Sequence, residues 1–255
     1  LNDKGTFAEI RETADRMQEQ FIAYGLDESK TEFVLGSEFQ LDEAYTLDLH
    51  AAELETTLSR AKRAMAEIAR GDHAKVSQMV YPLMQALDIE YLDVDLAVGG
   101  LDQRKVHMLA RETLPELDYD VRPALHTPII ADLSSGVGKM ASSSGVTISM
   151  EDSEDEIEEK INDAYCPPTA DPDPDGDGNE RENPVLQLFQ YHVFPRVDTV
   201  VVERPEQYGG DLEYDDYEML EADLESGELH PMDAKSALAA ELNALIEPGR
   251  QQLNA

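Results

Sequence analysis

Apolar side chains along this chain follow two different periods. Spacings of three and four residues, which place side chains on one face of a helix, recur in residues 7–24, 41–70, 81–92, 153–165, 183–194 and 228–246. Short apolar runs typical of buried strands occur at 31–35, 94–98, 124–130 and 199–202. Because helices and strands alternate, the pattern predicts an α/β fold with a parallel sheet.

Two of the predicted helices carry apolar stripes that we assign to the core. In the first helix, Thr6 is placed to cap the start and Gly25 to end it. Its stripe consists of Phe7, Ile10, Ala14, Met17, Phe21 and Tyr24. The helix from 41 to 70 offers for packing Leu47, Leu54, Leu58, Ala61 and Met65. Both stripes predict contact with a hydrophobic core.

The helix that contains Tyr81, Gln85 and Asp88 combines apolar and polar positions. These three residues are spaced four and three apart, so their side chains project from one helix face. Apolar neighbours that can pack beside them are Met84, Ile89 and Leu92. An apolar surface with a few convergent hydrogen-bonding groups is typical of a small-molecule site.

The strand predicted at Val94–Val98 ends at the pair Gly99–Gly100. Glycine lets a ligand approach the backbone, and ligands of open α/β sheets bind at the carboxyl ends of the strands. Asp102 is placed to cap the next helix, and Gln103 to reach into the crevice. The two patterns together predict a ligand site between this helix and this strand end.

Each of these residues also has an ordinary structural explanation. A tyrosine or glutamine on a half-apolar helix is commonly a rim residue, and Asp102 can act as a cap and nothing more. A Gly-Gly pair alone is a weak signal. The residue pattern by itself leaves a ligand site and a purely structural role both open.

Two motifs of the central segment carry a resemblance to a known family. Tyr81, Gln85 and Asp88 form YxxxQxxD, and residues 98–112 form VGGxDQRKxHxLARE. They resemble the tyrosyl-tRNA synthetases of the archaeal and eukaryotic type, and the likeness continues to the C-terminus. It implies an α/β, Rossmann-like catalytic domain at 1–150, N-terminally incomplete, with a connective insertion at about 38–72. A mainly helical anticodon-binding domain would follow at 151–255.

The resemblance also implies roles in the activation of L-tyrosine by ATP and its transfer to tRNA(Tyr). Tyr81 and Gln85 would hold the substrate amino group, Asp88 the phenol hydroxyl and Gln103 the substrate backbone. Gly99, Gly100 and Asp102 would contact ATP, with Asp102 at the ribose. Mg²⁺ would accompany ATP, without dedicated protein ligands.

A Gly/Ser-rich loop follows the strand predicted at 124–130. Residues 139–143, KMASS, resemble the KMSKS loop that closes over ATP in class I synthetases. By this resemblance, Lys139 and Ser142 are assigned to catalysis. Lys139, Ser142 and Ser143 are also assigned to ATP binding. Ala141 and Ser142 depart from the motif, so their contacts differ from the family's. Read without the resemblance, such a loop with one lysine is commonly a linker.

Residues assigned to tRNA lie in two places. Arg63, in the connective insertion with Arg60 and Lys62, would meet the acceptor stem together with Arg104 and Lys105; a cation cluster on a helix is otherwise usually a solvated face. In the family the insertion also forms the homodimer interface. Tyr208 would stack on the first anticodon base, which Asp233 would hydrogen-bond, with His230 beside it. A turn tyrosine and a capping aspartate are the ordinary alternative.

The charge of the chain is extreme. Its 255 residues include 55 Asp and Glu against 20 Lys and Arg, a net charge of -35, while 41% hydrophobic content suffices for a core. Molar salt shortens the Debye length to roughly 3 Å, so a carboxylate-rich surface stays hydrated without repelling itself. This indicates a halophilic cytoplasm in preference to a nucleic-acid mimic. The sequence predicts no membrane or DNA partner, and the lone Cys166 predicts no disulfide.

The segment 167–183 is an acidic, proline-interrupted insertion that we assign to solvation. Asp171, Asp173, Asp175, Gly176 and Glu182 match the spacing of a calcium-binding EF-hand loop. We reject that reading because two prolines stiffen the loop and no well-formed helix pair brackets it. We expect no metal site.

Two alternatives remain at this level. Another class I synthetase such as the tryptophanyl enzyme shares the fold but should not place a phenol-accepting Asp at position 88. A catalytically incomplete tRNA-binding fragment is the second, because the family's first strand and its HIGH-like ATP motif lie upstream of Leu1 in the resembled proteins.

Overall fold

A computed structural model describes residues 5–64, 75–141, 146–168 and 180–254. The chain divides into an N-terminal unit of Leu1–Gln18 and Glu28–Pro128 and a C-terminal unit of Glu19–Asp27 and Ile129–Ala255. The division falls before the predicted boundary at 150. Leu133 explains the difference, because its side chain is fully buried in the core of the C-terminal unit.

The first five helices are α1 (Phe7–Ala23), which the two units share, α2 (Glu43–Glu55), α3 (Leu58–Ala64), α4 (Val76–Tyr91) and α5 (Arg104–Thr113). Strand β1 (Ala97–Gly100) pairs in parallel with β2 (Ala124–Thr127), with Ala97 opposite Ala124. Since α5 connects the two strands, the N-terminal unit contains a β-α-β crossover. This parallel pairing confirms the predicted α/β fold.

The core of the N-terminal unit is built around α4. Leu83 and Leu87, four residues apart on this helix, are buried and belong to two adjacent clusters. Tyr45 of α2 and Leu109 of α5 are completely buried against these clusters. The apolar face of α4 is thereby fixed, and its polar residues project from a rigid element.

Two strand predictions in the N-terminal unit are wrong. Residues 31–35 form no strand, and Val34 and Leu35 are 40% and 44% exposed. The strand predicted at 94–98 begins only at Ala97 and includes Gly99 and Gly100. The left-handed backbone of Asp93, with φ 45°, reverses the chain after α4, so the next residues serve the turn. An apolar run marks hydrophobic residues but not the partner strand that pairing requires.

The predicted core stripes of α1 and α2 are also wrong for the described residues. Phe7 is 85% exposed, and α1 buries Ala23 alone. Leu54 is 85% exposed and Leu47 61%, whereas Ala61 of α3 is buried as predicted. Met65 lies outside the described residues. Helical periodicity identifies an apolar face, but it does not identify what covers that face.

The C-terminal unit consists of α6 (Glu154–Asn162), α7 (Pro184–Leu188), a π-helical turn (Phe189–Val193), α8 (Tyr217–Ser226) and α9 (Pro231–Leu253). Strands β3 (Val200–Val202) and β4 (Leu212–Tyr214) form an antiparallel pair. Ile157 and Ile161 of α6 and Leu238 of α9 are fully buried in one core. This agrees with the predicted, mainly helical C-terminal part.

Helix ends in this unit follow the sequence signals. Ser153 caps α6: its hydroxyl oxygen accepts a hydrogen bond from the Glu156 amide, and the Glu156 carboxylate accepts one from the Ser153 amide. Asn183 caps α7 directly before Pro184 at the first helical position.

Candidate functional site

The polar face of α4 meets the end of β1. Tyr81, Gln85 and Asp88 are all half-buried, and Gln85 Nε2 donates to Gln103 Oε1 at 3.4 Å. Gln103 also packs against Gly99, because a Cβ added at Gly99 would lie 3.2 Å from Gln103 Cβ. A side chain at this position would therefore crowd Gln103, and glycine avoids that contact. The structure brings together three of the residues that the sequence assigned to one site.

Asp88 accepts hydrogen bonds from two side chains that the sequence analysis did not assign to the site. Gln40 Nε2 donates to both carboxylate oxygens, at 2.9 and 3.1 Å, and the Tyr45 hydroxyl donates at 2.8 Å. Burial raises the pKa of Asp88, and the bonds from Gln40 and Tyr45 oppose that shift. No periodicity marked Gln40, since it follows a short 3₁₀ turn at Gly36–Glu38. No sequence pattern distinguished Tyr45 from an ordinary core residue.

Tyr45 is held by an aromatic cluster. Its ring meets Phe39 edge-on at a centroid distance of 5.7 Å and Tyr91 at 4.8 Å. Its hydroxyl also lies 2.9 Å from the Met84 carbonyl oxygen. Burial, followed by the bond to Asp88, raises the pKa of Tyr45, so the phenol stays protonated as a donor.

A second carboxylate lies on the other side of this cluster. Asp48 Oδ2 accepts the hydroxyl protons of Tyr91 at 2.7 Å and Tyr119 at 2.6 Å. Burial, followed by the bond to Asp48, raises the pKa of Tyr91. The pKa of Tyr119 is also raised, by its bond to Asp48 first and by burial second. Because both donors are side chains of the protein, these hydrogen bonds connect α2, α4 and the segment after α5 without a ligand.

Two histidines lie beside the end of the parallel strands. His107 Nδ1 and His126 Nε2 are 3.0 Å apart, and His126 is paired in register with Gly99. Burial lowers the pKa of His107, and the neighbouring His126 lowers it further. One ring must donate and the other accept, so the contact ties α5 to β2 when at least one imidazole is neutral.

Asp102 is not the helix cap that the sequence suggested. It lies in an exposed 3₁₀ turn, Leu101–Gln103, that runs directly into α5, and Gln103 occupies the cap position without a side-chain cap bond. The turn places Asp102 close to the helix N-terminus, where a negative charge is favourable. Gly100, directly before this turn, is half-buried at the end of β1.

The cations assigned to tRNA line one groove. This groove has a volume of about 930 Å³ and lies between α3 and α5, lined by Leu58, Ser59, Arg60, Lys62, Arg63, Arg104, Lys105, Met108 and Glu112. Five of the 20 Lys and Arg residues of the chain thus share one surface. The one acidic lining residue, Glu112, forms an ion pair with Arg60. We call this surface the cationic groove.

In the C-terminal unit, Tyr208 is 67% exposed on the loop between β3 and β4. His230 precedes α9, and its Nδ1 accepts the Met232 amide at 3.1 Å. Asp233, half-buried, lies in the first turn of this helix. A connecting residue that the sequence analysis missed is Arg204, which is buried and contacts both segments.

The predicted ATP loop is described only at its start. Lys139 is half-buried in the C-terminal unit, and the following Met140 amide donates to the Ile130 carbonyl at 2.8 Å. Ser142 and Ser143 lie outside the described residues, as do residues 169–179 of the acidic insertion, which include every member of the rejected calcium loop except Glu182.

Within the described ranges, no group of three or more His, Cys, Asp or Glu side chains could hold a metal ion. No helix described in the structure is long and apolar enough to cross a membrane.

The chain is similar to known proteins over nearly its whole length. The family model of class I tRNA synthetases (W and Y) matches residues 2–247. The tyrosine–tRNA ligase of Halorubrum lacusprofundi is 74% identical over 99% of this chain and 77% of the relative, and that of Halobacterium salinarum is 70% identical over 99% and 76%. The crystal structure of tyrosyl-tRNA synthetase complexed with L-tyrosine from Archaeoglobus fulgidus superposes with a TM-score of 0.88 at 52% identity, covering 99% of this chain and 76% of that one.

The match to the family model over nearly the whole chain, together with the parallel pairing of β1 and β2, identifies a class I aminoacyl-tRNA synthetase. The chain belongs to the archaeal-type tyrosine–tRNA ligases of this family, and its substrates are tyrosine, ATP and tRNA. It spans about three quarters of the length of these relatives. The tryptophanyl alternative is thereby set aside, and the acidic composition agrees with relatives from halophilic archaea.

Proposed function

We propose that the polar face of α4 and the end of β1 bind the tyrosine substrate. In this arrangement Tyr81 and Gln85 hold the amino group, Gln103 contacts the substrate backbone, and Asp88 accepts a hydrogen bond from the phenol hydroxyl. The observation that carries this proposal is the 3.4 Å contact between Gln85 and Gln103, on the α4 face that also bears Asp88. At a rise of about 1.5 Å per residue, Gln85 and Asp88 are about 4.5 Å apart along the helix axis.

The bonds already made by Asp88 leave room for the substrate. A carboxylate offers about four acceptor positions, and Gln40 and Tyr45 occupy three. A phenol proton can take the remaining position. A substrate without the hydroxyl would leave that position unpaired in a half-buried site, which opposes its binding.

Activation requires orientation and charge stabilisation more than proton transfer. An oxygen of the tyrosine carboxylate bonds to the α-phosphorus of ATP while the bond to the β-phosphate oxygen breaks, giving tyrosyl-adenylate and pyrophosphate. Gly99 and Gly100 allow ATP to approach the backbone, and Asp102 bonds the ribose. Lys139, Ser142 and Ser143 hold the phosphates, with Lys139 and Ser142 at the leaving pyrophosphate. Mg²⁺ bound to ATP neutralises phosphate charge.

Transfer to tRNA uses surfaces in both units. A ribose hydroxyl at the tRNA 3′ end attacks the tyrosyl carbonyl and releases AMP. The cationic groove, with Arg63, Arg104 and Lys105, supports the acceptor end through phosphate contacts. Tyr208, His230 and Asp233 read the first anticodon base by stacking and edge hydrogen bonds.

We also propose that the protein is a cytoplasmic homodimer. Leu47 and Leu54 of α2, with Leu41 just before the helix, are between 61% and 85% exposed. Large apolar side chains concentrated on one helix face are typical of an interface. Sedimentation velocity tests this point. A wild-type dimer and a monomeric double variant, Leu47→Glu with Leu54→Glu, would support the proposal. A wild-type monomer at micromolar concentration would contradict it.

ATP–pyrophosphate exchange with each standard amino acid tests the tyrosine site. Exchange should occur with tyrosine, and Gln85→Ala should raise KM for tyrosine. Gln78→Ala, on the same helix, is the matched control because Gln78 bonds the helix start at Lys75 and lies outside the proposed site. Equal effects of the two variants would contradict the assignment of Gln85.

A further inference from the structure

The loop between β3 and β4 has a shape that depends on two glycines. A 3₁₀ turn, Glu206–Tyr208, is followed by Gly209 with φ 104° and Gly210 with φ 77°, values that side chains rarely adopt. The turn presents Tyr208 to solvent. An exposed aromatic ring on a short loop needs a support if it is to keep a fixed orientation.

Arg204 lies inside this loop and connects it to the segment before α9. Its side chain is only 5% exposed. Nε donates to the Gly210 carbonyl at 3.0 Å, and Nη1 donates to the Glu228 carbonyl at 2.9 Å. The Arg204 backbone amide donates to Asp211 Oδ1 at 2.9 Å, which closes the loop. One side chain thus bridges the Tyr208 loop and the approach to His230.

The contacts require an arginine. The rigid guanidinium fork donates in two directions at once, whereas a lysine ammonium keeps the charge but not that geometry. Gly209 leaves the necessary space, because a Cβ at this position would lie 3.3 Å from Arg204 Nη2. A buried cation without partners would be costly, so the two carbonyl contacts also account for its burial.

The charges around Arg204 strengthen this view. Asp211 accepts from its amide, and Glu228 Oε1 lies 3.9 Å from Nη2. Both carboxylates stand in the two segments proposed to meet RNA, where negative charge would repel phosphates. The guanidinium offsets part of this charge from beneath the loop without itself occupying the surface.

We infer that Arg204 is a positioning residue that holds the Tyr208 loop against the segment carrying His230 and Asp233, so that stacking and base-edge contacts act on the same nucleotide. This inference rests on the proposed function of these residues in anticodon recognition. Arg204 contacts neither the reacting atoms nor, by its burial, the RNA. Its loss therefore changes discrimination between bases more than general affinity for RNA.

A binding experiment with two RNA hairpins tests this role. The hairpins copy the anticodon stem-loop and carry guanosine or inosine at the first anticodon position. Inosine lacks the exocyclic amine of guanosine, which can donate a hydrogen bond to a carboxylate. Wild-type protein should prefer guanosine. Arg204→Lys, which keeps the charge, should weaken guanosine binding about tenfold, bring the guanosine-to-inosine ratio close to one, and leave ATP–pyrophosphate exchange unchanged. Arg196→Lys is the control, because the exposed Arg196 side chain donates to the carbonyl of His192, four residues earlier, and lies outside the two segments bridged by Arg204.

A second variant guards against misfolding. Gly209→Ala retains Arg204 but strains the loop and crowds Nη2, so it should lower the same ratio even if Arg204→Lys is unstable. Folded variants that retain the wild-type ratio would overturn the inference. If Tyr208→Ala and Asp233→Ala also bind both hairpins as the wild type does, the anticodon site itself is wrong. If these two variants lose the preference while Arg204→Lys and Gly209→Ala keep it, only the role of Arg204 is refuted.

Discussion

Asp88 and Asp48 are two half-buried carboxylates of the N-terminal unit, and both accept protons from tyrosine hydroxyls. Asp48 accepts hydrogen bonds from the hydroxyls of Tyr91 and Tyr119 and thereby connects three segments of the chain. Asp88 accepts hydrogen bonds from the Tyr45 hydroxyl and from the Gln40 side-chain amide. A phenol–carboxylate pair therefore does not by itself mark a substrate site.

The neighbours of the two carboxylates differ. Asp88 shares the α4 face with Gln85, which contacts Gln103 next to Gly99. Asp48, on α2, contacts the hydroxyls of Tyr91 and Tyr119. Among the contacts described, no comparable set of polar side chains lies beside it. The comparison teaches that the polar groups beside a carboxylate, rather than its own bonds, assign it to a ligand.

The largest effect concerns amino-acid choice. We expect Asp88→Ala to lower the ratio of kcat/KM for tyrosine over phenylalanine about 10- to 100-fold, because a hydrogen bond to a charged group contributes roughly 1.5–3 kcal/mol. Pyrophosphate exchange with both amino acids measures it. An unchanged ratio would show that Asp88, like Asp48, has an internal role alone.

Asp48→Ala should give the opposite pattern. Two partly buried phenols lose their acceptor, so the free energy of unfolding should fall by about 2 kcal/mol, while the tyrosine-to-phenylalanine ratio stays constant. Urea unfolding and pyrophosphate exchange on the same preparation measure both. Glu53→Ala on the same helix is the control, since an exposed position should change stability by less than about 0.5 kcal/mol. A changed ratio in Asp48→Ala would remove the distinction between the two carboxylates.

The difference between the two carboxylates marks how far sequence reasoning reaches. The spacing of Tyr81, Gln85 and Asp88 was sufficient to predict one polar helix face, because helix geometry fixes which side chains share a face. It could not identify Gln40 and Tyr45 as partners of Asp88, which come from segments 48 and 43 residues away in the chain. Contacts between distant segments depend on packing that no local period records.

The same limit explains the errors in the fold. Helix α6 was predictable because its cap and its buried stripe agree, as Ser153 and Ile157 illustrate. Val34 and Leu35 were misassigned because a strand requires a partner that local sequence does not specify. Arg204 escaped notice since a single arginine in an acidic loop has no pattern, and only its two carbonyl contacts reveal its position.

A smaller effect should follow from Tyr45→Phe, which removes one donor from Asp88. The bond from Tyr45 lowers the pKa of Asp88 against the opposing effect of burial, so its loss should raise that pKa further. If the ionised carboxylate accepts the substrate phenol, tyrosine activation declines as the pH falls through this pKa. The acid limb of the pH profile should therefore move to higher pH in the variant. Tyr91→Phe, which alters Asp48 instead, should leave this limb in place; equal shifts would contradict the separate roles.

The smallest effect on the two carboxylates should come from salt. Raising KCl from dilute to molar screens exposed charges, so the surface of a chain with net charge -35 should repel itself less and folding stability should rise. Affinity for tRNA should stay flat or rise, because weaker phosphate contacts in the cationic groove are offset by reduced repulsion. Deleting 171–182 should leave charging at molar salt nearly unchanged.

Hydrogen bonds within the half-buried sites are screened far less than surface charges. The tyrosine-to-phenylalanine ratio and the destabilisation caused by Asp48→Ala should therefore both stay constant across the salt range in which the protein is folded. Exchange assays, urea unfolding and tRNA binding at matched KCl concentrations measure these quantities. A ratio that changes with salt would place the Asp88 interaction at the exposed surface, and a steep loss of tRNA affinity with salt would contradict the halophilic interpretation of the charge.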